Sequence, residues 1–465
     1  MLFIPRILKD IALIFAESGK QSFLVGGAVR DMLRGEKAHD FDLATDATPE
    51  EVAAMFCALG RSVIPTGIKH GTVTVRFKGE SFEITTFRTE SEYRDGRHPE
   101  KVAYAGTIEE DLSRRDFTMN AIAMELPKGR VVDPFNGRAD IQNGVIRCVG
   151  SPLERFGEDG LRSLRCVRFA SQLGFSIDKE TLAAIPQTLS ITAKVAAERK
   201  RDELDKIIGS RKPSTGFLLM EQTGLLHELL PELAMCRNVG QKGGHRFDVL
   251  DHSLLACDFA AENGWPHEVR LAALFHDIGK PVVCAMNEFG VRTFYRHERE
   301  GAALAKNILS RFRYSNTVID TVVHLIKEHM FQYDEEWSDA AVRRFIIRVG
   351  EAYLPNLYKL RHADAFATAG EPPSPDFLTP LMDRASRVLD EKKALSRKDL
   401  AISGKDLIAL DIKHGPRIGV ILHELLEAVL EDPELNAKEK LLEIAGKMED
   451  RARQTPTPPA NPQKT

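Results

Sequence analysis

A change of period near residue 151 restricts this chain more than any other feature. From Phe23 to about Val149, short β-rich runs (Phe23 to Val25, Gly71 to Phe77, Ser81 to Phe87, Val131 to Asp133) mix with turn residues and helical stretches, the pattern of a small α+β unit. Beyond Ser151, segments such as LRSLRCVRFASQLGF and GFLLMEQTGLLHELLPEL repeat apolar residues at helical spacing, and strand-like alternation almost disappears. The expected fold class is therefore α+β: a head of small mixed sheet and helices over 1–150, then an all-α remainder. At 465 residues the chain exceeds what one core usually serves. Neck and body helices are expected over 151–240, and Lys242, Gly243 and Gly244 mark the start of a third block over 241–370. The run GEPPSP at Gly370 to Pro375 stops any helix, leaving a shorter helical segment over 371–453. The stretch 454–465 holds four prolines and no apolar period, so a disordered tail is expected.

Composition removes several classes. The chain is 43% hydrophobic and 28% charged, as globular proteins are, and no apolar run approaches the ~18 residues of a membrane span. Asp10 and Glu17 interrupt the apolar N-terminus, which reads as an amphipathic first helix and not a signal peptide. A cytoplasmic protein with no membrane partner is expected. Six widely separated cysteines without a C-x-x-C pair argue against a disulfide framework or a structural zinc site. With a net charge of −4, any RNA contact must come from a local basic surface.

The stretch from Phe23 to Asp42 reads FLVGGAVRDMLRGEKAHDFD. An apolar strand runs into Gly26-Gly27 and then a helix, which lets bare backbone N–H groups approach a triphosphate. Asp40 and Asp42 alternate in an extended segment, so both carboxylates leave one face and offer hard oxygens to Mg²⁺. Two such ions about 3.5–4 Å apart activate an attacking 3′-hydroxyl and stabilise departing pyrophosphate. A lone D-x-D is mostly a solvated turn or a helix cap. Here Gly-Gly, a helix and D-x-D fall within twenty residues. Glu83, on SFEITTFR and on the same side as Thr85, is the natural third carboxylate.

That layout resembles the polymerase-β-like nucleotidyltransferases. LVGGAVRD, DFDLAT, GIKHGTV, EITTFR, TESEYRDGRHPEKV and RRDFTMNAIAM resemble, in that order, the class II tRNA nucleotidyltransferases of the CCA-adding and poly(A) polymerase family, as far as about Gly224. The resemblance implies a polymerase-β-like head with catalytic Asp40, Asp42 and Glu83. It also implies a nucleotide site that includes Gly26, Gly27, Arg30, Arg165 and Arg168. Within it, Arg115, Asp116 and Asn120 would hold the ribose and phosphates.

RFGEDGLRSLRC places Glu158, Asp159 and Arg162 in the first turn of an expected helix, with Asp159 and Arg162 three apart on one face. A carboxylate accepts and a guanidinium donates, so the pair can match the base edge of C or A, where an exocyclic amine stands beside an unprotonated ring nitrogen, and not that of U or G, whose ring nitrogen carries a proton. The alternative is a surface ion pair. The match to the family's E-D-x-x-R motif implies the templating role. Glu198 and Arg199 resemble its next neck motif, and Lys194, Arg199, Lys200, Arg201 and Lys206 either touch RNA phosphates or form a solvated face.

In the third block, His276-Asp277 followed by Ile-Gly-Lys resembles the HD phosphohydrolase superfamily. His252, His276, Asp277 and Asp364 complete the implied ligand set, and His297 and His329 fall where binuclear members keep two more. Imidazole and carboxylate donors suit Ni²⁺, Mn²⁺, Fe²⁺ or Mg²⁺. An active site of this kind would hydrolyse a phosphoester such as a 2′,3′-cyclic phosphate, a 2′-phosphate or a nucleotide. The alternative is an HD fold kept to hold the neck or tRNA without chemistry.

The leading expectation is template-independent addition of C, C and A to tRNA 3′ ends from CTP and ATP. An A-adding enzyme or a poly(A) polymerase would share the head. The loop Thr89 to Val102, with Arg94-Asp95-Gly96-Arg97-His98, resembles the element CCA enzymes use when switching from C to A, and no long basic C-terminal extension of the poly(A) polymerase kind is seen. A metal phosphohydrolase with a nucleotide-binding head, a reading from another class, would leave Asp40, Asp42, Arg115, Asp159 and Arg162 unexplained. An antibiotic-modifying nucleotidyltransferase would leave the neck motif unexplained. No DNA partner is expected, and the oligomeric state is open.

Overall fold

The computed structural model describes residues 3–38, 40–93, 99–241, 246–374, 376–390, 396–412 and 415–454. The expected boundary at Lys242 to Gly244, the tip 94–98 of the switching loop and nearly all of the expected tail lie outside them. In the head, strands β1 (Ser22–Val25), β2 (Asp42–Thr45), β3 (Val63–Gly67), β4 (Thr72–Phe77), β5 (Glu80–Thr86), β6 (Arg88–Tyr93), β7 (Pro99–Tyr104), β8 (Ala123–Glu125) and β9 (Val131–Val132) follow one another. Seven of them form one sheet in the order β3-β4-β5-β2-β1-β8-β9, and β6 pairs with β7 as a separate hairpin. Within the large sheet β2 and β5 run parallel and the other neighbours antiparallel.

Alternation makes this sheet two-faced. On β5, Phe82, Ile84 and Thr86 are buried while Ser81 and Glu83 are exposed. The inner face packs on the amphipathic first helix, Arg6–Glu17, through Leu8, Ile11 and Phe15. It also packs on the helix Pro49–Ala58, where Phe56 meets Phe15 and Phe77 edge-on at 5.9 and 6.1 Å. Thr48 starts that helix with a reciprocal cap: its hydroxyl accepts from Glu51 N at 3.3 Å, and Glu51 Oε2 accepts from Thr48 N at 2.8 Å.

Past residue 151 the chain is helical apart from short bridging strands. One large core runs from Ile4 to Val388, and Leu400 to Ala445 hold a second, smaller one. The helix Leu354–Ala369 ends at Gly370, whose φ of 76° suits glycine, and the next helix is Thr379–Asp390. Leu381, Ala385 and Val388 of that helix join the larger core, which therefore continues past residue 370. Among the described residues, no helix is long and apolar enough to cross a membrane.

Candidate active site

The strand β1 ends at Val25, and Gly26 turns the chain at φ 70°, a conformation that favours glycine. A Cβ there would also come within 3.2 Å of Arg115 Nη1. The turn opens the helix Gly27–Leu33 and forms one side of a cleft of about 920 Å³ between head and neck. Asp42 heads β2 and is registered opposite Glu83 on the parallel strand β5, so pairing, not proximity in sequence, brings the third carboxylate to the first two. Asp40, Asp42, Glu83 and Thr85 all line the cleft. The Asp42 side chain faces the cleft's water but sits at its floor. Displaced solvent and the adjacent Glu83 raise its pKa to about 6, against the pull of Arg115.

The opposite wall is arginine-rich. The helix Ile108–Ser113 begins at a Thr107–Glu110 capping box and ends where Arg114 and Arg115 enter the cleft. Buried Asp111 grips both: it accepts from Arg114 Nε and Nη2 at 3.0 and 2.8 Å and from Arg115 Nη2 at 3.1 Å. Asp116 accepts from Arg165 Nε and Nη2 at 2.9 and 2.6 Å and from Asn120 Nδ2 at 3.2 Å. Asn120 Oδ1 in turn accepts from Arg30 Nη1 at 3.0 Å. Burial alone would raise the Asp116 pKa; Arg165 and Asn120 hold it down at about 2. Arg168 reaches the cleft, but its Nε donates to buried Glu203 at 2.6 Å.

The neck differs locally from the sequence expectation. Glu158 ends one helix, Pro152–Glu158, and Leu161 begins the next, so Asp159 lies in the extended break between them and not in a shared first turn with Arg162. Asp159 is extended and its Oδ1 accepts from Leu161 N at 3.0 Å, a local bond that competes with helix continuation, while Gly160 packs so closely on Ile191 that a Cβ would lie 2.6 Å from its backbone. Asp159 accepts from Arg199 Nη2 at 2.7 Å, while Arg162 donates to Glu158 and to the carbonyls of Arg155 and Arg114. Both still line the cleft, as does Arg199.

The sequence reading did not single out Asp31, His70, Arg88, Arg114 and Phe169 as cleft residues, nor Asp111 behind them. For Asp111 the i,i+3 and i,i+4 spacing to Arg114 and Arg115 is a readable signal. The others come together only through tertiary packing.

A second cluster lies in the third block. His252, His276 and Asp277 bring their ligand atoms within 4.8 Å of one another, as do Asp277, His297 and His329. Asp364 joins them, its Oδ1 lying 3.2 Å from His252 Nε2 and 3.6 Å from His276 Nε2. His276, His297 and His329 each turn Nδ1 onto a carbonyl three residues earlier, at 2.8, 2.9 and 2.6 Å. That fixes the tautomer with Nε2 facing inward, as metal-bound imidazoles are held. Burial opposes charge on His276, but Asp277 and Asp364 keep its pKa up, at about 10. Gly279 makes the approach possible: a Cβ there would meet the His297 carbonyl oxygen at 2.3 Å.

Three families match successive parts of the chain: the poly A polymerase head domain over 22–147, an RNA- and SrmB-binding site of polymerase A over 174–236, and tRNA nucleotidyltransferase domain 2 over 299–445. A CCA-adding enzyme of Lactiplantibacillus plantarum is 32% identical over 446 residues, 95% of this chain and 96% of that one. The chain belongs to the CCA-adding enzyme family of tRNA nucleotidyltransferases. Another CCA-adding enzyme, that of Geobacillus stearothermophilus, reaches 45% identity over 218 residues, 47% of this chain and 52% of that one. The Bacillus stearothermophilus CCA-adding enzyme in complex with CTP superposes with a TM-score of 0.72 at 30% identity, over 97% of this chain and 99% of that one.

Proposed function

We propose that this chain adds C, C and A to tRNA 3′ ends from CTP and ATP, releasing pyrophosphate. The observation that carries the reading is the pairing of Asp42 with Glu83 across parallel strands, which sets them with Asp40 in one cleft facing Arg115 and Arg165. Three carboxylates are a hard-oxygen donor set that fits Mg²⁺. Bound there, two such ions would activate the attacking hydroxyl and stabilise the leaving oxygens. Arg115 and Arg30 lie opposite, where a triphosphate's charge would fall. Asp159 and Arg162 read the base edge, and Arg199 orients the Asp159 carboxylate. The relative that holds CTP supports a cytidine nucleotide in this cleft. Exposed, unpaired Cys57 and Cys284 fit a reducing cytoplasm. The test is to supply tRNAs ending before CCA, after C and after CC with each nucleotide alone and together, and to sequence the products. Runs of A, or addition restricted to A, would overturn the assignment.

The third block is read as an HD-type metal phosphohydrolase. Four imidazoles and two carboxylates with inward-facing ligand atoms fit a borderline divalent cation such as Mn²⁺, Fe²⁺ or Ni²⁺, which would displace the proton on His276, and also admit Mg²⁺. A cation held there supplies water activation for phosphoester hydrolysis. Lys280, 2.6 Å from Asp277 Oδ2, orients that carboxylate.

A further inference from the structure

We propose that the turn Ile68–His70 together with Arg88 seats the RNA's own 3′-terminal nucleotide, the guanidinium of Arg88 meeting its phosphodiester and the imidazole of His70 its ribose. The inference deepens the reading of the cleft as a nucleotide-adding site and rests on it. Strand register supplies the direction. Val25, Asp42, Glu83 and Thr74 form one row across β1, β2, β5 and β4. Gly26 and the helix it opens lie beyond that row on the side of Asp40, because β1 runs antiparallel to β2. Thr85 and its β4 partner Thr72 lie beyond the row on the other side, and His70 ends the turn that leads into Thr72. His70 and the Gly26–Gly27 turn are therefore at opposite ends of the floor, with the carboxylates between them. Both line the same cleft, as does Arg88.

Transfer joins the RNA's 3′-oxygen to the α-phosphorus of the incoming nucleotide, breaks the bond to pyrophosphate and releases the hydroxyl proton to solvent. Attacking and leaving oxygens stand in line on opposite sides of that phosphorus. With the triphosphate tail drawn to the bare backbone at Gly26–Gly27 and to Arg115, the hydroxyl arrives from the end that holds Thr85, His70 and Arg88. β4 lies two strands from β2, roughly 10 Å, which leaves room there for one nucleotide, the last of the RNA. That end is built as a unit. Arg88 Nη1 donates to the His70 carbonyl. Arg88 N donates at 3.4 Å to Asp111 Oδ1, on the carboxylate that also grips Arg114 and Arg115. Gly71 closes the turn at φ 78°, and a Cβ there would come within 3.5 Å of Tyr104, the residue registered opposite Arg88. A guanidinium matches phosphate oxygens in shape and charge, and a chain of net charge −4 needs such a local cation to hold an RNA end. An imidazole can donate to a sugar hydroxyl or accept from it.

The test extends tRNAs ending after the first C with CTP and Mg²⁺, using the full chain. One pair of substrates carries a native or an uncharged methylphosphonate linkage before the last nucleotide, and a second pair carries a ribose or a 2′-deoxyribose at that nucleotide. Wild type loses about tenfold or more in kcat/KM for tRNA when the linkage is uncharged. Arg88→Ala is slow on both linkages and differs by less than about twofold between them. Arg88→Lys keeps the charge and most of the linkage penalty, which preserves the test if the alanine variant does not fold. In His70→Ala the penalty for the 2′-deoxyribose shrinks in the same way, while KM for CTP stays within about twofold of wild type in every variant. A linkage penalty that is equal in wild type and Arg88→Ala, or absent from wild type, overturns the seat and leaves the nucleotide-adding reading standing. A raised KM for CTP in Arg88→Ala with an undiminished linkage penalty also overturns it and puts Arg88 on the triphosphate. If wild type extends no tRNA, the nucleotide-adding reading falls and the seat falls with it.

Discussion

Replacing Asp116 with Asn should loosen the joint between head and neck. Asp116 is 7% exposed and its Oδ2 accepts both bonds from Arg165. Its pKa falls from the usual 3.8 to about 2. At about 1.36 kcal/mol per pH unit, this gap favours the ionised form in the folded state by about 2–3 kcal/mol. Removing one partner of a buried pair typically costs about 3–5 kcal/mol. Arg165 keeps 33% of its side chain in solvent, which places the expected loss nearer about 2 kcal/mol. Hydrogen exchange reads it directly: amides of 114–120 and 161–169 should exchange about thirtyfold faster where local opening limits them. Arg165→Gln should do the same, and the double variant should cost at least about 1.5 kcal/mol less than the sum of the singles. Additivity to within about 0.5 kcal/mol would refute the pairing as the source of rigidity. Because the folded pKa lies below the unfolded one, the contribution is complete above pH 3.8 and disappears as pH falls through about 2; Asp116→Asn lacks that dependence.

Asp42→Ala or Asp40→Ala should lower nucleotide incorporation by about a thousandfold or more while tRNA retention on filters changes little. With Asp42 titrating at about 6, wild-type incorporation at limiting Mg²⁺ should decline as pH drops below that value, and added Mg²⁺ should restore it; a flat profile between pH 5 and 7 would count against its role as a ligand. Asp159→Ala and Arg162→Ala should relax the preference for CTP and ATP over UTP and GTP more than they weaken triphosphate binding, measured by competition. Arg199→Ala should share part of that effect through Asp159. His276→Ala combined with Asp277→Ala should remove any metal-dependent phosphoesterase activity and leave tRNA extension intact, because the two centres lie in different blocks.

Local order was legible where one segment carries its own signal. Short β-rich runs announced β1, β4 and β5, and the apolar period announced the first helix and the helical body. D-x-D gave Asp40 and Asp42 because both lie in one extended stretch. What escaped was anything made by pairing or packing. The parallel contact of β2 with β5 cannot be read from either strand alone, so Glu83 rested on its face assignment and family resemblance. At Asp159 the sequence reading began one helix with Glu158, Asp159 and Arg162 in its first turn, whereas the side chain of Asp159 bonds Leu161 N in an extended break and Gly160 beside it meets Ile191, a contact between segments far apart in sequence. In the third block the resemblance to the HD superfamily pointed to the histidines, and only the helix packing at Gly279 and Gly301 gives their convergence.

The parallel register of β2 and β5 also separates what can vary from what cannot. One part of the connection between them, the exposed stretch Leu59 to Ser62, contributes no residue to the cleft and sets no distance among the carboxylates. Residues inserted there lengthen a connection at little entropic cost. A slip of one residue between the two strands, by contrast, would turn Phe82 or Ile84 into the cleft and Glu83 into the core. The head is thus a frame with a built-in splice point, a place where a reporter, a tether or new chain ends can be introduced without retuning the chemistry a few strands away.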